Sequence, residues 1–184
     1  TAPYECDGMS VYRQLPLAVA LPETEGQVQR VLQMCRRLGV PVVPRGAGTG
    51  LSGGATPIAH GVVLSLSRFT KIVDVDPYAR TATVQPGVRN LAVSEAAAQY
   101  GLYYAPDPSS QIACTIGGNV SENSGVRKTR NVIVAAWLLE PTVNSTVSWP
   151  LRHRGRFACT WPLERRTARC VLFVTCYLSW RVPR

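Results

Sequence analysis

The chain has 184 residues, 46% of them hydrophobic and 17% charged, with a formal net charge of +9. That length supports a packed core, and the apolar share excludes a disordered chain. The apolar runs at residues 132–139 and 170–180 fall short of the roughly twenty residues a membrane-spanning helix needs, and six cysteines with no CxxC pair or His-partnered spacing exclude a zinc module or a disulfide framework.

In chain order, Thr24 and Gln27 have capping-box spacing, and Val28, Val31, Leu32, Cys35 and Leu38 fall on one face of a predicted helix that ends at Gly39. Residues 40–43 predict a buried strand and residues 62–66 a second. Residues 71–75 and 81–85 predict two more, joined at Asp76-Pro77-Tyr78-Ala79. Residues 91–100 read as a helix closed by Gly101. Helix, strand, loop and short strands in succession suit an α+β fold of small mixed sheets with flanking helices.

Between the first two strands lies Arg45-Gly46-Ala47-Gly48-Thr49-Gly50-Leu51-Ser52-Gly53-Gly54, with five glycines in ten positions. Without Cβ atoms such a segment can turn successive N–H groups toward one anion, and a phosphate or pyrophosphate is the natural guest. A mononucleotide P-loop would end in Gly-Lys-Ser/Thr, which is missing. Gly48-Thr49-Gly50-Leu51-Ser52-Gly53 satisfies GxGxxG, with Asp74 and Asp76 downstream, but the dinucleotide fingerprint also requires a helix next. Here Ala55-Thr56-Pro57-Ile58-Ala59-His60-Gly61 is a turn signal leading into a strand, so that reading is rejected. A glycine-rich surface turn with no ligand remains the bland alternative, and a second motif counts against it.

That motif is Tyr103-Tyr104-Ala105-Pro106-Asp107-Pro108-Ser109-Ser110, followed by Thr115-Ile116-Gly117-Gly118-Asn119-Val120-Ser121-Glu122-Asn123-Ser124-Gly125. Pro106 and Pro108 stiffen an extended loop, while Ser109, Ser110 and Thr115 offer small donors beside a Gly-Gly step that permits close backbone approach. The two loops together read as a bipartite cofactor cradle.

Val42-Val43-Pro44-Arg45 running into the glycine loop, Gln85-Pro86-Gly87-Val88, and Pro106-Asp107-Pro108-Ser109-Ser110 with Ile116-Gly117-Gly118-Asn119 resemble the FAD-linked oxidase family, the vanillyl-alcohol-oxidase or PCMH type. Tyr4-Glu5-Cys6-Asp7-Gly8 and residues 106–119 are similar to the FAD-linked D subunits of bacterial glycolate oxidases, whose relatives oxidise D-2-hydroxy acids such as D-lactate. The resemblance covers about residues 3–125. It implies a PCMH-type FAD-binding domain, incomplete at its C-terminal side, and FAD as the cofactor. It implies that residues 45–54 wrap the pyrophosphate, with Pro44 at the entry, and that Pro106, Asp107, Ser109, Ser110, Thr115, Gly117, Gly118 and Asn119 border the ribityl chain and flavin ring. Thr49 stands where some members carry a flavin-linking histidine, so the implied FAD is noncovalent.

The resemblance further implies a flavin-dependent oxidation of a 2-hydroxy acid, of glycolate or D-lactate type, to the 2-oxo acid. It implies partner subunits of the glycolate oxidase kind and a cytoplasmic setting, peripheral at the inner membrane through those partners. Substrate-binding histidines and basic groups come in this family from a cap domain not recognisable here, so the catalytic residues are unassigned and the chain is expected to be inactive alone. His60, in a turn, and His153, in the basic tail, read as solvated rather than catalytic. Cys6, Cys35 and Cys114 read as free thiols, with Cys35 on the apolar helix face.

Residues 1–126 hold nine Lys/Arg and nine Asp/Glu, whereas residues 127–184 hold eleven Lys/Arg and two Asp/Glu. The entire charge excess is in the tail, as are Trp137, Trp149, Trp161 and Trp180. This divides the chain into an FAD-binding domain over residues 1–125 and a basic tail over 126–184, where Val126-Arg127-Lys128-Thr129-Arg130 replaces the family pattern after Gly125. A shifted reading frame would produce this break, and Thr1 in place of an initiator Met points to an opening truncation. The tail is expected to have weak or variable structure, with an aggregation hazard at residues 171–178. Arg152-His153-Arg154-Gly155-Arg156 and Arg165-Arg166 among tryptophans raise a nucleic-acid surface as the alternative. No recognised binding module frames them, so no nucleic-acid partner is expected.

Overall fold

The computed structural model describes residues 1–122, 133–139, 144–148, 170–177 and 179–180. The expectations for the break after Gly125, for Trp149 and Trp161, and for the arginine clusters at 152–156 and 165–166 fall outside the described residues.

A three-stranded parallel sheet is built from β1 (Ala18–Ala20), β2 (Val42–Arg45) and β3 (Val62–Ser65), with β3 in the middle. Helix α1 (Glu25–Leu38) connects β1 to β2. It starts where the sequence predicts: Thr24 Oγ1 accepts from Gln27 N, and Gln27 Oε1 accepts from Glu23 N. It ends at Gly39 in the left-handed conformation. Val28, Leu32 and Cys35 are buried, packing with Leu64, Leu66 and Phe69. Full burial of a side chain such as Phe69 or Leu64 contributes about 1.5–3 kcal/mol. Leu38, expected on that face, is 65% exposed, in the last turn before the Gly39 cap.

The strand expected at residues 40–43 begins two residues later. Val40 N is taken by Cys35 O, closing the helix, and only from Val42 does the chain pair with β3. Pro44 is tolerated inside β2 because β2 is an edge strand, where one row of N–H groups has no neighbour to reach.

The second sheet is antiparallel, in the order β4 (Ile72–Asp76), β5 (Thr81–Val84), β9 (Cys170–Tyr177), β7 (Ile133–Leu139), β8 (Asn144–Ser148). The turn between β4 and β5 is held by Asp76 Oδ1, which accepts from Tyr78 N and Ala79 N. Helix α2 (Asn90–Ala97) runs into a 3-10 turn, Ala98–Tyr100, and closes at Gly101 as predicted. Strand β6 (Leu102–Tyr103) pairs with β10 (Ser179–Trp180), and α3 (Ile116–Ser121) follows the second motif. Ala82, Val84, Val88, Val93, Leu102, Tyr104 and Ile116 form a second core between α2, α3 and the antiparallel sheet.

The apolar runs near residues 132–139 and 170–180, expected to be weakly structured, are strands. β9 pairs with β5 on one side and with β7 on the other.

Candidate functional site

Parallel neighbours β2 and β3 need a crossover of a dozen or more residues, usually a helix. Here residues 46–61 make it without one, in agreement with the rejection of the dinucleotide-helix reading. The glycine loop therefore leaves the C-terminal end of β2 with its backbone exposed. Gly48 and Gly53 have φ of 72° and 77°, values that a side chain disfavours. The nine amides from Gly46 to Gly54 donate to no protein acceptor among the described residues. Amides left unpaired in a glycine loop of this kind can serve as an anion site.

The N-terminal segment holds the loop from behind. Gly8 N donates to Gly50 O at 3.0 Å, and a β-carbon at position 8 would stand 2.8 Å from the same oxygen. Arg45 is 8% exposed. Its Nη1 donates to Cys6 O at 2.7 Å and to Ala55 O at 3.3 Å, and its guanidinium lies 5.6 Å from the Tyr4 ring centroid. The same guanidinium fills the space under Gly48 that a β-carbon would need. Arg45 is thus a strut between residues 4–6 and both ends of the loop. Asp7 is 5% exposed; its Oδ1 accepts from Met9 N, while Oδ2 has no partner among the described residues.

The facing wall is set by backbone pairing between residues 86–90 and 114–117. Ile116 N donates to Val88 O, Gly117 N to Pro86 O, and Asn90 N to Cys114 O. A β-carbon at position 117 would approach the Pro86 Cβ to 2.6 Å, so the Gly-Gly step allows α3 to lie against that turn. Asn119 Nδ2 donates to Asn90 Oδ1 at 3.1 Å, and Asn90 Nδ2 donates to Pro106 O at 3.0 Å. This buried chain ties α3, α2 and the proline loop into one unit.

A cleft of about 400 Å³ separates the two walls, within the range of small-molecule and cofactor sites. It brings together residues 44–51 and Gly54 from one motif with Ser109, Ser110, Thr115, Gly117, Gly118 and Asn119 from the other. Of the residues the sequence singles out, Ser52, Gly53, Pro106 and Asp107 do not line it. Pro106 instead accepts the Asn90 amide. Seven lining residues were not among those singled out as cofactor contacts: Ala55, Leu66, Pro86, Pro108, Cys114, Ser121 and Glu122, of which Pro108, Cys114, Ser121 and Glu122 stand within or beside the second motif. Glu122 follows α3, and its Oε2 accepts from Ser52 Oγ at 2.5 Å. Arg45 and Glu122 are the charged residues lining the cleft.

Burial pushes the Cys35 thiol above its ordinary range, consistent with its place in the core away from the cleft. His60 is exposed in the turn before β3 and does not line the cleft. Among the described residues no group of three His, Cys, Asp or Glu side chains could hold a metal ion, and no helix is long and apolar enough to cross a membrane.

A glycine loop with unpaired amides, faced across a cleft by a hydroxyl-rich loop on an α+β scaffold, defines a nucleotide-cofactor-binding domain. Comparison with known proteins gives the family. Residues 16–139 match the FAD binding domain family, and the chain belongs to it, with FAD as its cofactor. The glycolate oxidase subunit GlcD of Escherichia coli (strain K12) is 64% identical over 123 residues, covering 67% of this chain and 25% of that protein. The GlcD subunit of Bacillus subtilis (strain 168) is 44% identical over 122 residues, covering 66% of this chain and 26% of the relative. Among solved structures, an alkyldihydroxyacetonephosphate synthase superposes with a TM-score of 0.63 at 19% identity, over 88% of this chain and 31% of that one, which establishes the PCMH-type fold. The chain spans about a quarter of the length of the GlcD relatives it matches.

The residues present fit the cofactor. Unpaired amides and positive-φ glycines suit a pyrophosphate, and the hydroxyls of Ser109, Ser110 and Thr115 stand on the opposite wall.

Proposed function

We propose that this chain is the pyrophosphate-gripping part of a flavoenzyme that oxidises a 2-hydroxy acid, of glycolate or D-lactate type, to the 2-oxo acid. The observation that carries this reading is the row of amides from Gly46 to Gly54 that donate to no protein acceptor among the described residues, seven of them on residues that line the cleft. In it the backbone of residues 46–54 binds the FAD diphosphate, and Ser109, Ser110 and Thr115 hydrogen-bond the part of the cofactor that crosses to the other wall. Gly117 and Gly118 keep that wall close, and Asn119, through Asn90, fixes the proline loop. Arg45 acts by holding the loop rather than by reaching the phosphates, since its Nη1 serves two carbonyls. Bound FAD would supply the acceptor for the hydride of the substrate carbon.

Among the described residues the cleft offers no basic side chain placed for a substrate carboxylate: Arg45, its one lining cation, is buried with Nη1 held by two carbonyls, and Glu122 would repel a carboxylate. The reading therefore makes the chain inactive alone, with substrate groups supplied by sequence that the GlcD relatives have beyond the matched quarter. Partner subunits, and attachment to the inner membrane through them, belong to the same proposal and rest on the GlcD similarity. Thr49 makes the flavin noncovalent.

Titration of the refolded chain with FAD, followed by flavin fluorescence, tests the reading. Saturable quenching is the expected result; an unchanged signal at high FAD overturns it. Acid precipitation of the loaded chain should leave the flavin in the supernatant, and yellow pellet would contradict noncovalent binding.

A further inference from the structure

The glycine loop faces an acid. Glu122 stands just past α3, its own N–H donating to Gly118 O, so its backbone is fixed by the helix that packs on Pro86. Its side chain crosses the cleft to the far end of the loop. Oε2 takes the Ser52 hydroxyl at 2.5 Å. Oε1 lies over Gly54, where a β-carbon would come within 2.6 Å of it, and 3.6 Å from the β-carbon position of Gly50. Gly54 thus makes room for this carboxylate, Gly50 lies in ordinary contact with it, and Ser52 of the same loop orients it. Such an arrangement leaves Oε1, on a cleft-lining residue, without a protein donor among the described residues.

A carboxylate accepts hydrogen bonds and donates none, so its ligand must present protons. A pyrophosphate presents none. The donors nearest a dinucleotide's diphosphate, on both sides, are sugar hydroxyls. We propose that Glu122 Oε1 accepts a hydroxyl of the sugar or sugar-alcohol adjoining the diphosphate, and that Ser52 and Gly54 exist in this loop to hold it there. The proposal rests on the FAD reading above and adds a selectivity element to it. The hydroxyl comes either from the ribityl chain or from the adenosine ribose, two sources of one chemistry.

The test titrates the wild-type chain and Glu122→Gln with FAD, FMN and ADP. Glu122 is exposed at the rim, so the substitution leaves the core untouched. Glu122→Gln should weaken FAD roughly tenfold, the scale of one hydrogen bond to a charged group. The loss should reappear with only one of the half-ligands. Loss with FMN but not ADP assigns the ribityl chain; loss with ADP but not FMN assigns the ribose. Equal affinity or tighter FAD binding in Glu122→Gln overturns the proposal, since the carboxylate then only repels the diphosphate. An equal loss with all three ligands also overturns it, because that is the signature of a disordered loop. A wild-type chain that binds no FAD fails the underlying reading instead, and the two failures are distinguishable.

Discussion

Arg45 Nη1 lies 2.7 Å from the carbonyl oxygen of Cys6, a contact that joins the N-terminal segment to the root of the glycine loop across 39 positions of sequence. The guanidinium is buried and its Nη1 also reaches Ala55 O, where the loop returns. Replacing it with alanine leaves two carbonyls without a donor and a void beneath Gly48. The expected cost of Arg45→Ala is about 2–4 kcal/mol of stability, since hydrogen bonds to charged groups and buried unpaired acceptors both contribute. Urea unfolding measures it. Arg45→Lys should recover only part, because an ammonium cannot span the same acceptors while filling the planar slot.

Gly48 tests the loop itself. Its φ is 72°, and the Arg45 guanidinium occupies the place of a β-carbon. Gly48→Ala meets both obstacles, and the left-handed conformation alone costs roughly 1–2 kcal/mol. FAD affinity should fall at least tenfold while far-UV circular dichroism stays unchanged, because the substitution lies outside every helix and strand. Wild-type affinity in this variant would mean that the loop does not use its present backbone path to hold the cofactor.

These two positions also show what could be read from sequence. The loop was legible because five glycines in ten residues have few structural uses. Helix α1 was legible because Thr24, Gln27 and the apolar spacing agree locally. The partners of Arg45 are not a local matter, as its acceptors are backbone carbonyls at positions 6 and 55 that no side-chain pattern announces. Glu122 was equally hidden, for its contact with Ser52 spans 70 residues and forms only once α3 is seated on Pro86. The pairing of β9 with β5 was missed for the same reason: apolar content marks a strand but not its neighbour.

The Asn119–Asn90–Pro106 chain carries a third prediction. Both asparagines are buried, and each link leaves a polar group unpaired if its partner is lost. Asn90→Ala should destabilise by about 1–3 kcal/mol and free the proline loop, raising its proteolytic sensitivity near residues 106–110. Asn90→Asp should fare no better, since a carboxylate cannot donate to Pro106 O. Limited proteolysis with mass spectrometry reads the second effect separately from the first.

Cys35 gives the pH dependence. Burial raises its thiol in the folded chain, so the folded state favours the protonated form more than the unfolded state does. Its contribution to stability is therefore complete below the ordinary thiol range of about 8.5 and declines as pH rises from there through the raised folded value. Cys35→Ala should flatten the alkaline limb of a stability-versus-pH curve. In the wild type, alkylation of Cys35 should lag behind that of the partly exposed Cys6 at pH 8, with peptide mapping as the readout.

The tail sets composition against topology. Residues 127–184 carry eleven Lys/Arg against two Asp/Glu, unlike the balanced residues before them. Yet Val174–Tyr177 pairs with Thr81–Val84, and the family match runs to residue 139. The proposal of a shifted reading frame after Gly125 predicts that resequencing the coding DNA uncovers an insertion or deletion near the codons for Gly125 to Arg127, and that correcting it restores the family's glycine at the next position. An intact frame onward to the stop defeats the proposal. In that case the strand pairing carries the consequence: Val174→Pro would remove a ladder hydrogen bond from a strand bonded on both sides and destabilise β5 with it. Were the tail instead an accident of frame, deleting residues 126–184 would leave the thermal unfolding of residues 1–125 unchanged.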